Sequence, residues 1–433
     1  MLTPTGTTSS AYWSAIKAGN PTHVRMTFLG QNIILDDSDI AIAGITVNDI
    51  FNGDTDLVFG KTLSKQITMS IINSSKLDGL IWTGEFTLEF GVEIGTPAVT
   101  YWVNLGYFSG EKPNNVTTVN VIDFTAYDRM RKFDQLGDLF VQSISYPTTI
   151  QDIYDDLCTF VGVVNDSGDE LPDIMLRSYA SAPVDMEGYT CRDILGMIAE
   201  ACGCYARINA DGNCQMMWFT DNTSHAITGN EEFSVESGDI NDGLIWNEAD
   251  DYYWNDFDNF TWNDVCGYQE MYNIDQMQIQ MLGNNTRINY PYDFGGNVYT
   301  IVDNPFLSVS SINDVNNYIV PLYNRVHSFG GYIPANVNCI GCWLVEAGDI
   351  VSVEINGNSY NIPIFVKTMR WNGAVDDSYE TTGNRERSAY SSDADRQQSI
   401  SSKYIRLFVE ENYYLTQSGI DINADGVSIV GNK

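Results

Sequence analysis

The chain has 433 residues, with 43% hydrophobic and 12% aromatic content, so it is a globular chain and not a disordered one. Asp and Glu number 57 against 22 Lys and Arg, a formal net charge of −35. Such a surface repels phosphates, which argues against a protein that grips nucleic acid but not against one that lets it slide past.

The length predicts roughly two to four domains with ample core. Tyr, Trp, Phe, Gly, Asn and Thr are plentiful, and the class is read as mainly β with a smaller α/β part. The opening MLTPTGTTSSAYWSAIKAGN lacks a basic region followed by an apolar run, so no secretory signal is read there. No stretch approaches the ~20 apolar residues of a membrane helix, so no membrane insertion is expected. Synthesis in the cytosol is expected, with retention there or exit by assembly and lysis. Eight cysteines in so long a chain are not a disulfide framework.

In chain order, residues 1–22 read as a polar N-terminal arm. His23 to Leu29 and Ile33 to Leu35, around Gly30-Gln31-Asn32, predict a hairpin. KQITMSIIN (Lys65 to Asn73), GEFTLEFGVEI (Gly84 to Ile94) and VTYWVNLGYF (Val99 to Phe108) continue as strands, with Phe86, Leu88 and Phe90 on one face. A strand over Val116 to Thr125 closes the group before Tyr127-Asp128 and the basic run Arg129, Arg131 and Lys132. Residues 23–135 are therefore predicted as a first β-barrel.

Residues 136–228 read as a small α/β domain with two capped helices. In the first, Thr148 is the expected N-cap with Gln151 as its capping-box partner; Ile150, Ile153, Leu157 and Val161 form the apolar stripe, and Gly162 ends it. In the second, Thr190 and Asp193 repeat the arrangement, and Gly203 ends the segment. CYARINADGNCQMMWF follows as a hairpin turning at Asp211-Gly212. Residues 229–380 read as a second β-barrel, its clearest signal being the hairpin from Gly348 to Trp371 around Asn356-Gly357-Asn358. Residues 381–433 read as a polar linker, a short helix with Ile400, Tyr404, Leu407 and Phe408 on one face, and a hairpin bearing Ile420 and Ile422.

Chemistry-bearing patterns are sparse. Trp246, Trp254 and Trp262 recur at a spacing of eight, each followed by Asn and an acid. Aromatic faces beside carboxylates suit a sugar platform or an oxygen-ligand calcium site, although an Asp-x-Asp-x-Asp-Gly loop is missing. Burial of the three indoles in an assembly is the plainer reading. Cys339-Ile340-Gly341-Cys342 is a CxxC, but Cys202 and Cys204 have the wrong spacing for a second zinc pair and the three histidines lie far apart in sequence. No metal or cofactor is expected. The nucleophile, zinc-protease, P-loop and dinucleotide signatures are missing, so no catalytic residue is assigned. Asp155-Asp156 and Asp376-Asp377 are adjacent acids whose side chains diverge, and a solvated face suits the helical pair better than a catalytic dyad.

Five segments together resemble the hub proteins at the distal end of phage tails. They are TVNVIDFTAYDRMRKF, YPTTIQDIYDDLC, TCRDILGMIAEACGCYARINADGNCQM, YIPANVNCIGCWLVEAGDIVSVEI and TMRWNGA, in the order of that family. The family is similar to the contractile-phage hub and to the N-terminal part of the type VI secretion spike. The resemblance implies two β-barrels paired around a central channel, with α/β domains outside. It implies a homotrimer that joins the distal tail protein or tube ring to a tail tip or fibre protein. It further implies a tape measure protein in the lumen and DNA only in transit. The WN repeat has no counterpart in it. The chain ends at Lys433, soon after the linker, which leaves no room for the peptidase, wall hydrolase or receptor-binding modules of some relatives. A host-surface carbohydrate-binding module or glycan-degrading tail enzyme is the alternative reading.

Overall fold

The computed structural model describes residues 2–51, 59–113, 120–166, 168–183, 186, 188–227, 232–235, 274–281, 286–292, 297–302, 304–307, 312–329, 332, 335–355, 358–381, 420–423 and 426–429. The chain is mainly β, as its composition predicts. A short helix α1 (Ser9–Lys17) leads into seven strands: β1 (Thr22–Phe28), β2 (Ile33–Asp36), β3 (Ile40–Phe51), β4 (Leu63–Ile72), β5 (Glu85–Ile94), β6 (Val99–Gly110) and β7 (Val121–Asp128). A small α/β part follows, with α2 (Asp138–Ser143), β8 (Thr148–Thr149), α3 (Ile150–Val161), α4 (Pro172–Met175), β9 (Ser178–Tyr179), α5 (Cys191–Ala201), β10 (Tyr205–Ile208) and β11 (Cys214–Met217). The remainder holds β12 (Thr220–Ile227), β13 (Glu232–Val235), β14 (Gln276–Met281), β15 (Thr286–Tyr290), β16 (Val298–Val302), β17 (Ala335–Ile340), β18 (Asp349–Ile355), β19 (Asn358–Pro363), β20 (Val366–Trp371), β21 (Val375–Thr381), β22 (Ile420–Asn423) and β23 (Gly426–Ile429). No helix among the described residues is long and apolar enough to cross a membrane.

Strands from both regions read as barrels in the sequence enter one antiparallel sheet of eleven, in the order β13-β17-β21-β20-β3-β4-β7-β6-β5-β1-β2. The weld is the β20–β3 pairing, in which Trp371 lies opposite Ile45 and Val366 opposite Ile50. Its tightest point is Gly44, at φ +74°, where an added Cβ would stand 2.0 Å from the Trp371 carbonyl oxygen. Only glycine allows that approach. The predicted Gly348–Trp371 hairpin forms as β18–β19, but the chain then leaves it, and β20 joins the large sheet. Strand β18 pairs with β12, while β14, β15 and β16 form a further sheet of three.

At the β5 end the core is aromatic. Phe28, Met26 and Val24 of β1 lie opposite Phe86, Leu88 and Phe90 of β5, all buried. The Phe28 and Phe86 rings are 5.0 Å apart, and Phe86 also meets Phe108 and Phe124 at 6.0 and 5.8 Å. Residues 1–22 are not simply polar: α1 turns Tyr12, Ala15 and Ile16 inward. The Tyr12 hydroxyl donates to the Phe90 carbonyl at 3.1 Å and accepts from the Trp343 indole N–H. Trp343 itself stacks on Phe90 at 4.9 Å, so α1 joins β5 to the loop before β18.

The two capped helices of the α/β part form where predicted, with one correction. The N-cap of α3 is Thr149 with Asp152, not Thr148 with Gln151: the Thr149 hydroxyl accepts the Asp152 N–H, and Asp152 accepts the Thr149 N–H. Thr148 instead pairs with Tyr179 in the β8–β9 bridge, and Gln151 reaches along the helix to Asp155. The backbone groups of Thr148 are thereby occupied in a strand, so the helix starts one residue later. Helix α5 is capped by Thr190 and Asp193 as read. Gly162 ends α3 in the left-handed conformation, at φ 71°. The β10–β11 hairpin turns at Asp211-Gly212 as predicted. The last strand of the first group begins at Val121 within the described residues and runs to Asp128, past the predicted end at Thr125. Its continuation lets Asp128 serve as cap of the next turn.

Candidate functional site

Strands that alternate inward and outward place every second residue in the core. In β4 the inward set is Leu63, Lys65, Ile67, Met69 and Ile71. In β3 it includes Ile45, Val47, Asp49 and Phe51; in β20, Lys367, Met369 and Trp371; in β21, Val375, Asp377 and Tyr379. One charged residue per strand thus sits in phase with apolar neighbours. Register then aligns them: Tyr379 lies opposite Lys367, Lys367 opposite Asp49, and Asp49 opposite Lys65. The result is a buried charged row across the weld between the two halves of the sheet.

Each charge is met by groups from elsewhere. The loop before β18 delivers Glu346, which accepts from Lys65 Nζ at 2.7 Å and faces Arg207 of β10 at 3.4 Å. Asp49 Oδ2 accepts the Ala347 N–H at 3.1 Å, and Asp349 Oδ2 accepts the Glu346 N–H at 2.9 Å. Gly348 makes this turn possible: at φ +89°, an added Cβ would fall 2.0 Å from the Tyr205 hydroxyl. Lys367 Nζ donates to the Cys342 and Val345 carbonyls, each at 2.7 Å, and lies 3.2 Å from Asp377 Oδ2. Asp377 Oδ2 also accepts from the Cys342 N–H and the Tyr379 hydroxyl, each at 2.8 Å. At the β7 end, Asp128 Oδ2 accepts the Lys65 N–H at 2.9 Å and Oδ1 the Met130 N–H at 3.1 Å.

The electrostatics follow from burial. Desolvation pushes the Asp49 carboxyl up to about 6, with Lys65 opposing, and the Asp128 carboxyl up to about 7. Burial works in the same direction on Glu346, but the Lys65 and Arg207 charges outweigh it and hold that carboxyl well below the usual range. Burial would lower Lys65, yet Glu346 and Asp49 raise it. The ion pair is therefore charged, and its partners come from residues 65, 207 and 346, three separate parts of the chain. Such a cluster holds strands together; its carboxylates are bonded to ammonium, guanidinium or amide groups.

The residues singled out from sequence lie elsewhere. Trp246, Trp254, Trp262, Ile400, Tyr404, Leu407 and Phe408 fall outside the described residues. Ile420 and Ile422 lie on β22, opposite Ile429 and Val427 of β23, which forms the predicted hairpin. Cys339 and Cys342 are buried at the edge of the charged row, and burial pushes the Cys342 thiol up to about 12. Cys202 donates to the Met175 sulfur at 3.1 Å, and Arg325 approaches Cys204 at 3.1 Å. Among the described residues no three His, Cys, Asp or Glu side chains gather as metal ligands. Asp376 is exposed and Asp377 buried, so that pair diverges, and Asp155 accepts from Gln151 and Asn165 while Asp156 is exposed. The charged row was missed in the sequence, although a Lys or Asp on the apolar phase of a strand was its visible signal.

No protein-family model and no curated protein sequence matches the chain. Solved structures similar to it include tail proteins, two of them from prophages. The 43 kDa tail protein of prophage MuSo2 from Shewanella oneidensis is 11% identical, with 83% of this chain and 97% of that chain covered and a TM-score of 0.46. A tail protein from Neisseria meningitidis MC58 is 10% identical over 83% of this chain and 95% of that chain, at TM-score 0.46. The prophage tail protein gp18 from Listeria monocytogenes EGD-e is 10% identical over 88% and 99%, at TM-score 0.44.

Proposed function

We propose that this chain is a structural, non-enzymatic subunit of a phage tail, acting as the hub at its distal end. One observation supports this most: the segments that carry the hub resemblance supply partners of the buried charged row. TVNVIDFTAYDRMRKF contributes Asp128, TCRDILGMIAEACGCYARINADGNCQM contributes Arg207, and YIPANVNCIGCWLVEAGDIVSVEI contributes Cys342, Glu346 and Asp349. TMRWNGA contributes Trp371, which closes over Gly44. The likeness thus falls on residues that determine architecture.

On this reading the two halves of the sheet are the two barrel domains of a hub, paired around a channel in a homotrimer. The trimer joins the tail-tube ring or distal tail protein to a tip or fibre protein, with the tape measure protein in its lumen. The net charge of −35 suits a wall that lets DNA pass without gripping its phosphates. Closed symmetry would also cover the outer strands β2 and β13 of the sheet, whose edges otherwise invite aggregation. Light scattering on the purified protein tests the assembly. A mass near three times the 48.3 kDa chain is the expected result. A monomer that binds a bacterial glycan would favour the carbohydrate-binding alternative and count against the hub.

A further inference from the structure

Asp49 stands in register between two lysines, Lys367 on β20 and Lys65 on β4. Yet among the described residues no ion pair within 4.0 Å joins it to either. Its Oδ2 is bonded to the Ala347 amide, while Oδ1 has no hydrogen-bond partner, although the residue is only 3% exposed. A cavity of about 20 Å³ lies beside it, lined among others by Val47, Asp49, Lys65, Val345, Glu346 and Lys367. That volume holds about one water.

The wall carries groups of both signs. An ammonium has three N–H groups. Lys367 points its own at two carbonyls and Asp377. Lys65 gives one to Glu346 Oε1. A cation in the cavity would face the two ammonium groups, and an anion would face the Asp49 and Glu346 carboxylates. A neutral molecule that both donates and accepts suits both signs. An apolar cavity stays dry, but one with an unpartnered carboxylate oxygen does not.

We propose that this cavity is the binding site of a single internal water that donates to Asp49 Oδ1 and accepts from Lys65 Nζ. The water completes the charged row at the weld, bridging β3 and β4. It substitutes for the direct Asp49–Lys65 ion pair that the register would otherwise invite.

The test is a crystal structure of the full chain at a resolution that shows internal waters. The expected result is a fully occupied water peak within hydrogen-bond distance of both Asp49 Oδ1 and Lys65 Nζ. Oxygen-17 relaxation dispersion of the wild type and Val345→Ile, which adds a methylene to the cavity wall, should show the loss of one long-lived water. Val47→Ile serves as a second variant should the first fail to fold. An empty cavity, an ion in place of water, or Asp49 swung into direct contact with Lys65 would each overturn the proposal, as would an unchanged count of long-lived waters in both variants.

Discussion

Two regions of the large sheet, one toward its β2 edge and one at its middle, are filled by opposite means. Between β1, β5, β6 and β7 the interior is phenylalanine against phenylalanine, with Phe28, Phe86, Phe108 and Phe124 in one ring cluster. Between β4, β3, β20 and β21 the interior carries Lys65, Asp49, Lys367 and Asp377 among Val, Met and Trp. Apolar burial is strong but non-directional, so it says which face is inside and little about which residue lies opposite. A slip of two residues would keep every inward side chain inward. The charged row forbids such a slip, because it would remove Lys65 from Glu346 and strand both charges in the core. The aromatic region therefore supplies burial, and the charged middle determines how sequence-distant strands join.

The sharpest way to break this contrast is to remove one charge. Lys65→Met takes the ammonium away from the buried Glu346 carboxylate and should cost about 3–5 kcal/mol in urea unfolding. Replacing Lys65 and Glu346 together by apolar residues should recover much of that loss, since a buried ion pair is costly to break and cheap to exchange whole. In the aromatic region, Phe86→Ala should cost a similar amount, about 3–5 kcal/mol, through the cavity it leaves, and no single partner change should recover it.

A pH series sharpens the same comparison. Asp49 and Asp128 titrate at about 6 and about 7 in the fold, above their ordinary value of 3.8. The folded state therefore holds more protons than the unfolded state between about pH 4 and 7, and stability should rise as pH falls through that window. Glu346, depressed in the fold, contributes stability above its ordinary 4.5 that is lost on further acidification. Urea midpoints at pH 7.5 and 5 should show the gain at the lower pH. The double variant Asp49→Asn, Asp128→Asn should reduce it, with buried Glu200, also pushed up to about 7, keeping part of the slope, whereas Phe86→Ala should leave the slope unchanged. The smallest effect belongs to the helix caps outside both regions: Thr149→Ala and Thr190→Ala should each cost about 1 kcal/mol.

Much of the fold was legible where a local rule decides it. The β1–β2 hairpin, the strands around Phe86 and Phe90, the β10–β11 turn and the Thr190 cap all follow from alternation, turn residues and capping chemistry. The cap of α3 shifted by one because Thr148 was taken by a strand bridge, a tertiary fact. Helix α1 was overlooked although Tyr12, Ala15 and Ile16 have helical spacing, because polar residues dominate the segment. The β20–β3 pairing joins residues about 320 positions apart, as in the bond between Thr368 and Asn48, and no local pattern encodes that. Its trace was present only as charges on the wrong phase: Lys65 with Ile67 and Met69, and Lys367 with Met369 and Trp371.

A double-mutant cycle between Lys65 and Glu346 tests the central claim most directly. If the buried pair joins the two halves of the sheet, the cycle should give a coupling of about 1.5–3 kcal/mol, larger than that of the Phe28 and Phe86 pair measured alongside. A coupling near zero, with the two single losses simply adding, would contradict the account and leave apolar packing as the sole cause of the weld.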